Sequence, residues 1–258
     1  MSDIKKILIS KNSTCKSIWF MRQAGRYLPE FKKIRSKNKN FINLCLNSDL
    51  SSELTLQPIK RFNIDNAIIF SDILMVPYAL GQKVKFVKNF GPVLSEFKID
   101  TFNETNYLKF ITNLNPVYKA IKKTKKKLDS KKSLIGFVGA PWTLLIYIMN
   151  LKSKKNLINI NKIKNNKVEY QLVIEKLTLY VCKHIEHQVS AGADVIQIFD
   201  SWAGLLKEED LEKFCYNPNK EIVDFCKNKK IPVICFPKGI KKNYLTFQNY
   251  VKPDGINI

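Results

Sequence analysis

Histidine and arginine are scarce in this chain, and each scarcity excludes something. The 258 residues include two histidines, His184 and His187, and four arginines, Arg22, Arg26, Arg35 and Arg61, so lysine supplies the other 40 of 44 basic side chains. The histidines lie three apart in a helical stretch without a third ligand at recognisable spacing, which predicts a solvent-facing helix surface in place of a metal centre. The cysteines, Cys15, Cys45, Cys182, Cys215, Cys226 and Cys235, form no C-x-x-C pair, and the opening M-S-D-I-K-K is not a secretory signal. Reduced thiols in a cytoplasmic protein are expected. No stretch approaches the ~20 uninterrupted apolar residues of a membrane span, so no membrane partner is expected. No G-x-G-x-x-G follows a candidate strand, and Ser201 stands in D-S-W-A-G instead of the G-x-S-x-G of a nucleophile elbow.

Acidic residues are also few, 22 against 44 basic ones, leaving a net charge of +22. Such a charge invites a nucleic-acid reading. The lysines, however, are spread among Asn and Ile along the whole chain, and no helix-turn-helix, zinc-finger or aromatic RNA-binding motif accompanies them, so nucleic acid is not the expected partner. An apolar content of 45% with 16 Phe and 10 Tyr supports a substantial core, and the length suits one large α/β domain.

Apolar runs predict strands at 18–22, 64–70, 133–139, 193–199, 231–236 and 255–258. Between them lie helical stretches: Leu28 to Leu56, Asn103 to Leu128 (divided at Pro116), Pro141 to Met149, Val168 to Ala191, Glu208 to Lys227 and Lys242 to Val251. Short extended segments at 83–86 and 92–98 form an excursion, and Lys152 to Lys167 reads as a loop. Continuous apolar strands alternating with helices predict a parallel α/β fold. Polar or charged residues follow the first four strands at their carboxyl ends, where (β/α)8 barrels build active sites.

The first of those ends is the most informative. Ile18 to Phe31 reads I-W-F-M-R-Q-A-G-R-Y-L-P-E-F, a buried strand delivering Arg22 and Arg26 around Gln23, Ala24 and Gly25. In a chain that otherwise uses lysine, two guanidinium forks four apart suit an anion with several carboxylates or phosphates. Asp72 follows a wholly apolar strand, where an unpaired carboxylate is costly; it either caps the next segment or meets a ligand N–H group. Tyr147, on the helix that Pro141 opens, is either a core tyrosine with a satisfied hydroxyl or a ligand contact.

Five motifs, W-F-M-R-Q-A-G-R-Y-L-P-E-F (19–31), F-S-D-I-L-M-V-P-Y-A-L-G (70–81), G-F-V-G-A-P-W-T-L-L-I-Y (136–147), Q-I-F-D-S-W-A-G (197–204) and F-P-K-G (236–239), together resemble the uroporphyrinogen decarboxylase family, in the family's order and over nearly the whole chain. The resemblance implies a TIM barrel, a homodimer and a cofactor-free carboxy-lyase. Its substrate is the tetrapyrrole uroporphyrinogen III, whose four acetates become methyls to give coproporphyrinogen III in haem biosynthesis. By motif match, Arg22, Gln23, Ala24, Gly25 and Arg26 line the substrate cleft, Asp72 accepts hydrogen bonds from the central pyrrole N–H groups, and Tyr147 and Ser201 contact the substrate. Arg22 and Asp72 are the catalytic candidates, with Arg22 either holding the departing carboxylate or taking part in proton delivery. The family continues with two further strands and a histidine, so residues 1–258 are expected to form a single barrel domain cut short after about six strands. An inactive porphyrinogen-binding remnant is one alternative. A zinc-dependent corrinoid or thiol methyltransferase of a related barrel group is another.

Overall fold

The computed structural model describes residues 4–11, 16–25, 27–87, 90–151 and 167–258. Cys15, Arg26 and most of the Lys152–Lys167 tract lie outside the described residues. The chain opens with α1 (Ile4–Ser10), and α2 (Pro29–Lys37), α3 (Phe41–Leu46) and α4 (Ser48–Arg61) lead into β1 (Asn66–Ile68). After α5 (Met75–Ala79) come the strands β2 (Val84–Val87) and β3 (Gly91–Leu94), then α6 (Ile99–Glu104) and α7 (Tyr107–Lys127). Next are β4 (Ser133–Gly139), α8 (Pro141–Ile148), α9 (Lys167–Ser190) and β5 (Val195–Asp200). A helical stretch, α10 (Glu208–Leu211), a π turn at Glu212–Tyr216 and α11 (Asn217–Asn228), leads to β6 (Val233–Pro237), α12 (Tyr244–Val251) and β7 (Gly255–Ile256).

Five strands make one sheet in the order β1-β4-β5-β6-β7, every pair parallel, while β2 and β3 form a separate antiparallel hairpin. Each strand of the large sheet lies beside the next one in the chain, which is barrel winding; a doubly wound sheet reverses its order part-way. The connecting helices cover one face, with α4 packed on α7, α7 on α9 and α9 on α11. Their ends follow local chemistry. Asn47 caps α4 by accepting from the backbone N–H groups of Asp49 and Leu50, Asn106 caps α7 by accepting from Lys109, and three lysines close the last turn of α7, where positive charge complements the helix dipole.

The other face of the sheet is the barrel interior. Its amino-terminal part is apolar: Ile68, Ile135 and Val195 lie level across β1, β4 and β5, Ile234 of β6 joins them, and Ile4 of α1 closes over the group with Leu8 and Trp19. Nearer the carboxyl ends the same face carries Phe137, Phe199 and Phe236, each half-buried, with ring centroids 5.5 Å and 6.2 Å apart and edge-to-face geometry.

Three expectations are corrected. Residues 18–22 are no strand of the sheet. Exposure alternates along 16–23, as in extended chain, but Ile18 and Phe20 face solvent, more than half exposed. The segment is tied beside β1 by Ile18 N donating to Asp65 Oδ2 (2.6 Å), Asp65 N donating to Ile18 O (2.9 Å) and the Gln23 side chain. Gln23 Nε2 donates to Asn66 O (2.7 Å) and Gln23 Oε1 accepts from Ile68 N (3.2 Å), so one buried amide does the work of a neighbouring strand at that edge. The large sheet therefore has five described strands where the apolar runs predict six. Pro116 does not divide its helix either; α7 runs through it unbroken. Finally, His184 is buried, its Nδ1 3.1 Å from the Tyr118 hydroxyl, while His187 stacks on the Tyr118 ring. Burial, and then the neighbouring His187, hold His184 neutral, with its pKa down at about 3.

Candidate active site

The carboxyl ends of the strands carry the polar groups that the sequence singles out. Asp72 stands after β1, and its Oδ1 accepts from Leu74 N (2.8 Å), which fixes the turn into α5. This satisfies one of the two roles open to it. Oδ2 has no hydrogen-bond partner among the described residues and is left for the other role, a ligand donor. Desolvation pushes the Asp72 carboxyl up to about 6 against the opposing pull of the Leu74 N–H. The same carboxylate is felt by Cys45 of α3, whose thiol is raised first by burial and then by Asp72.

α8 follows β4 because Pro141 at its first position suits a helix start and the rest is apolar. Seven of its eight residues are buried; Tyr147 is the one that remains half-exposed. Burial, the largest effect, and the charge of Asp72 raise its hydroxyl pKa, while a hydrogen bond to the Trp202 side chain lowers it. The two rings meet edge to face at 6.1 Å. Tyr147 and Asp72, from different strand ends, are thus within electrostatic reach of one another. Ser201 follows both in the chain, in the turn immediately after β5 that also carries Trp202, and is half-buried.

Two motifs are held together by a backbone contact. Gly204 N donates to Lys238 O (2.9 Å) and Lys238 N donates to Asp200 O (3.1 Å), bringing D-S-W-A-G onto F-P-K-G. A Cβ on Gly204 would lie 2.5 Å from Gly239 O, so only glycine allows this approach.

The arginine stretch is placed less tightly. Gln23 is buried in the sheet edge, Ala24 packs against the core, Gly25 O accepts from Leu28 N (3.1 Å) to form the turn into α2, and Arg22 is exposed. Arg26 lies outside the described residues. The structure brings Asp72, Tyr147 and Trp202 together and sets Arg22 on the outward face of the segment flanking β1. Sequence reasoning missed the interior phenyl rings, although Phe137, Phe199 and Phe236 each sit at the inward-facing parity of its own strand.

A family model described as "Uroporphyrinogen decarboxylase (URO-D)" matches residues 4–258. The chain belongs to the uroporphyrinogen decarboxylase family. It is 44% identical to a uroporphyrinogen decarboxylase of Rickettsia felis over 97% of this chain and 72% of that protein. It is 42% identical to one from Orientia tsutsugamushi over all of this chain and 76% of that protein. Among solved structures it is similar to a methyltransferase from Methanosarcina mazei, with a TM-score of 0.77 at 14% identity, over 99% of this chain and 74% of that one. At that identity the likeness speaks to the barrel fold alone. The five motifs that suggest the decarboxylase family therefore indicate the right family, and its barrel is the architecture observed. No helix among the described residues is long and apolar enough to cross a membrane.

Proposed function

We propose that this chain decarboxylates the four acetate side chains of uroporphyrinogen III, giving coproporphyrinogen III, as family membership supports. The observation that carries the reading is the Asp72 carboxylate, with one oxygen tied to Leu74 and the other without a partner among the described residues, within electrostatic reach of Tyr147 at the end of the sheet where the half-exposed phenyl rings lie. The pyrroles of a porphyrinogen are joined by saturated methylene bridges, so the ring is free to dome: its apolar ring faces suit the phenyl rings, its carboxylates stay at the rim, and its pyrrole N–H groups can converge on Asp72.

Loss of CO₂ breaks the bond between the acetate methylene and its carboxylate and leaves an electron pair behind. A pyrrole protonated at a ring carbon accepts that pair, becoming neutral with an exocyclic methylene. Protonation of that methylene gives the methyl group, and release of the ring proton restores the aromatic pyrrole. Asp72 stabilises the cationic stage from a fixed position in a desolvated site, where a charge counts for more than in water. Arg22 either holds the carboxylate that departs or takes part in proton delivery. Arg26, Gln23, Ala24 and Gly25 complete the cleft wall, and Tyr147 and Ser201 contact the substrate. The reading takes residues 1–258 as one barrel domain that forms a homodimer in the cytoplasm and needs no cofactor, as the family resemblance implies.

Anaerobic incubation of the purified protein with uroporphyrinogen, followed by chromatographic separation of products by carboxylate number, tests the proposal. Stepwise appearance of seven-, six-, five- and four-carboxylate products is expected. A folded, soluble sample that leaves the substrate intact rules the activity out for this chain.

A further inference from the structure

Asp200 takes no part in the chemistry above, yet it is 1% exposed and fully engaged. Its Oδ1 accepts from Thr143 Oγ1 (2.7 Å) and its Oδ2 from Asn219 Nδ2 (3.1 Å), with the Cys215 thiol close by. Alternation along β5 turns Asp200 away from the barrel interior that Phe199 faces. It therefore cannot meet a ligand there. What it meets is the first turn of α8 and the π turn before α11. The N-cap residue of α8 is Ala140, which makes no side-chain cap, and the Thr143 hydroxyl ties that first turn to Asp200 on the neighbouring strand.

Thr143 carries the effect further. A hydroxyl has one proton, and giving it to the Asp200 carboxylate turns an oxygen lone pair toward Trp202 N, which donates to Oγ1 at 3.1 Å. Trp202 O in turn accepts from Trp142 Nε1 (3.0 Å). Ser201 is thus held between two anchored residues. Tyr147 lies one helical turn beyond Thr143 on the same short helix, its ring against Trp202.

We propose that Asp200, acting through Thr143, is a positioning residue for the candidate active site: it locks the Ser201–Trp202 turn and the Tyr147 helix into one geometry. The proposal rests on the reading that Tyr147 and Ser201 contact a porphyrinogen. A site assembled from two elements depends on such a lock, since misplacement by about 1 Å costs on the order of a hundredfold in rate.

The test compares Thr143→Val, which keeps the shape and removes the hydroxyl, with Thr143→Ser, which keeps the hydroxyl, and with Asp200→Asn, which turns a donor toward Asn219. All are assayed on uroporphyrinogen well below their melting temperatures, with kcat counted per folded molecule by circular dichroism. Each is also made in a Trp19→Phe background, so that emission reports Trp142 and Trp202. Thr143→Val and Asp200→Asn are expected to lose about ten- to a hundredfold in kcat with little change in KM and to shift emission to longer wavelength, and Thr143→Ser to recover most of both. A Thr143→Val or Asp200→Asn protein that melts earlier yet keeps its kcat and its emission overturns the proposal. So does a Thr143→Ser protein as impaired as Thr143→Val. Absence of turnover by the unmodified protein removes the decarboxylase reading instead, and the emission shifts then decide for or against the lock by themselves.

Discussion

At their amino ends the strands of the large sheet press Ile68, Ile135, Val195 and Ile234 against Ile4 of α1, and all five are buried. Two residues further along β4 and β6, and four along β5, the same interior face shows half-exposed phenyl rings, and beyond the strands stand Asp72, Ser201 and the turn that packs against Tyr147. One sheet face has a dry end and an open end within a few residues. Hydrophobic burial is spent where nothing must bind, and the costs of function are gathered at the opposite end: a carboxyl raised by desolvation, an accessible aromatic floor and a glycine contact that tolerates no side chain.

That contrast can be broken from either end. Asp72→Asn keeps the acceptor for Leu74 and removes the charge; kcat is expected to fall by roughly a hundred- to a thousandfold, the range seen when a single electrostatic stabiliser is lost, with KM less affected. An unchanged rate removes Asp72 from the mechanism. Ile135→Ala works on the dry end. Stability is expected to fall by about 2–5 kcal/mol in denaturant unfolding, while kcat per folded molecule stays near that of the parent. Equal damage to both quantities would show that the two ends are not separable. Gly204→Ala strikes the backbone contact with Gly239, and a loss of about 1–3 kcal/mol is expected, together with a lower kcat because Ser201 lies three residues away.

The smallest effect is one of pH. Asp72 binds its proton more tightly in the fold than in the unfolded chain, so between about pH 4 and pH 6 the native state holds more protons than the unfolded state. Its contribution to stability therefore falls as pH rises through that window and stays unfavourable above it. Asp72→Asn is expected to melt higher than the parent at pH 7, by on the order of 1–2 kcal/mol, with the difference vanishing below about pH 4. Melting curves of the pair across pH check this; a difference independent of pH removes the carboxyl as its source. Activity moves the other way, since kcat/KM needs the ionised form and is expected to decline below about pH 6.

Much of this was legible in residue order. The runs around Ile135, Ile196 and Ile234 are apolar on both sides, as strands covered on two faces must be, and they became β4, β5 and β6. Asp72 and Ser201 each follow such a run directly, and Tyr147 lies on the helix that follows one. The misreadings have a common cause: composition records what a residue is, and contacts across the chain decide what it does. Trp19 and Met21 sit among apolar neighbours, yet the backbone of residues 18–22 finds no ladder because Gln23 has already taken the β1 groups. Two histidines three apart on a helix without a third ligand suggest a wet surface, but Tyr118, 66 residues away, provides a buried partner for His184. The Thr143–Asp200 pair is separated by 57 residues and has no local signature at all.

The Gln23 amide has one more consequence. A strand edge that shows a free carbonyl and a free N–H is a template on which another chain can lay its own strand, the commonest beginning of β-type aggregation. At β1 those groups are Asn66 O and Ile68 N, and a single side chain from the arginine-bearing segment occupies both. The stretch that carries Arg22 thereby also guards the sheet against its own kind, so this glutamine answers to colloidal behaviour as much as to the fold.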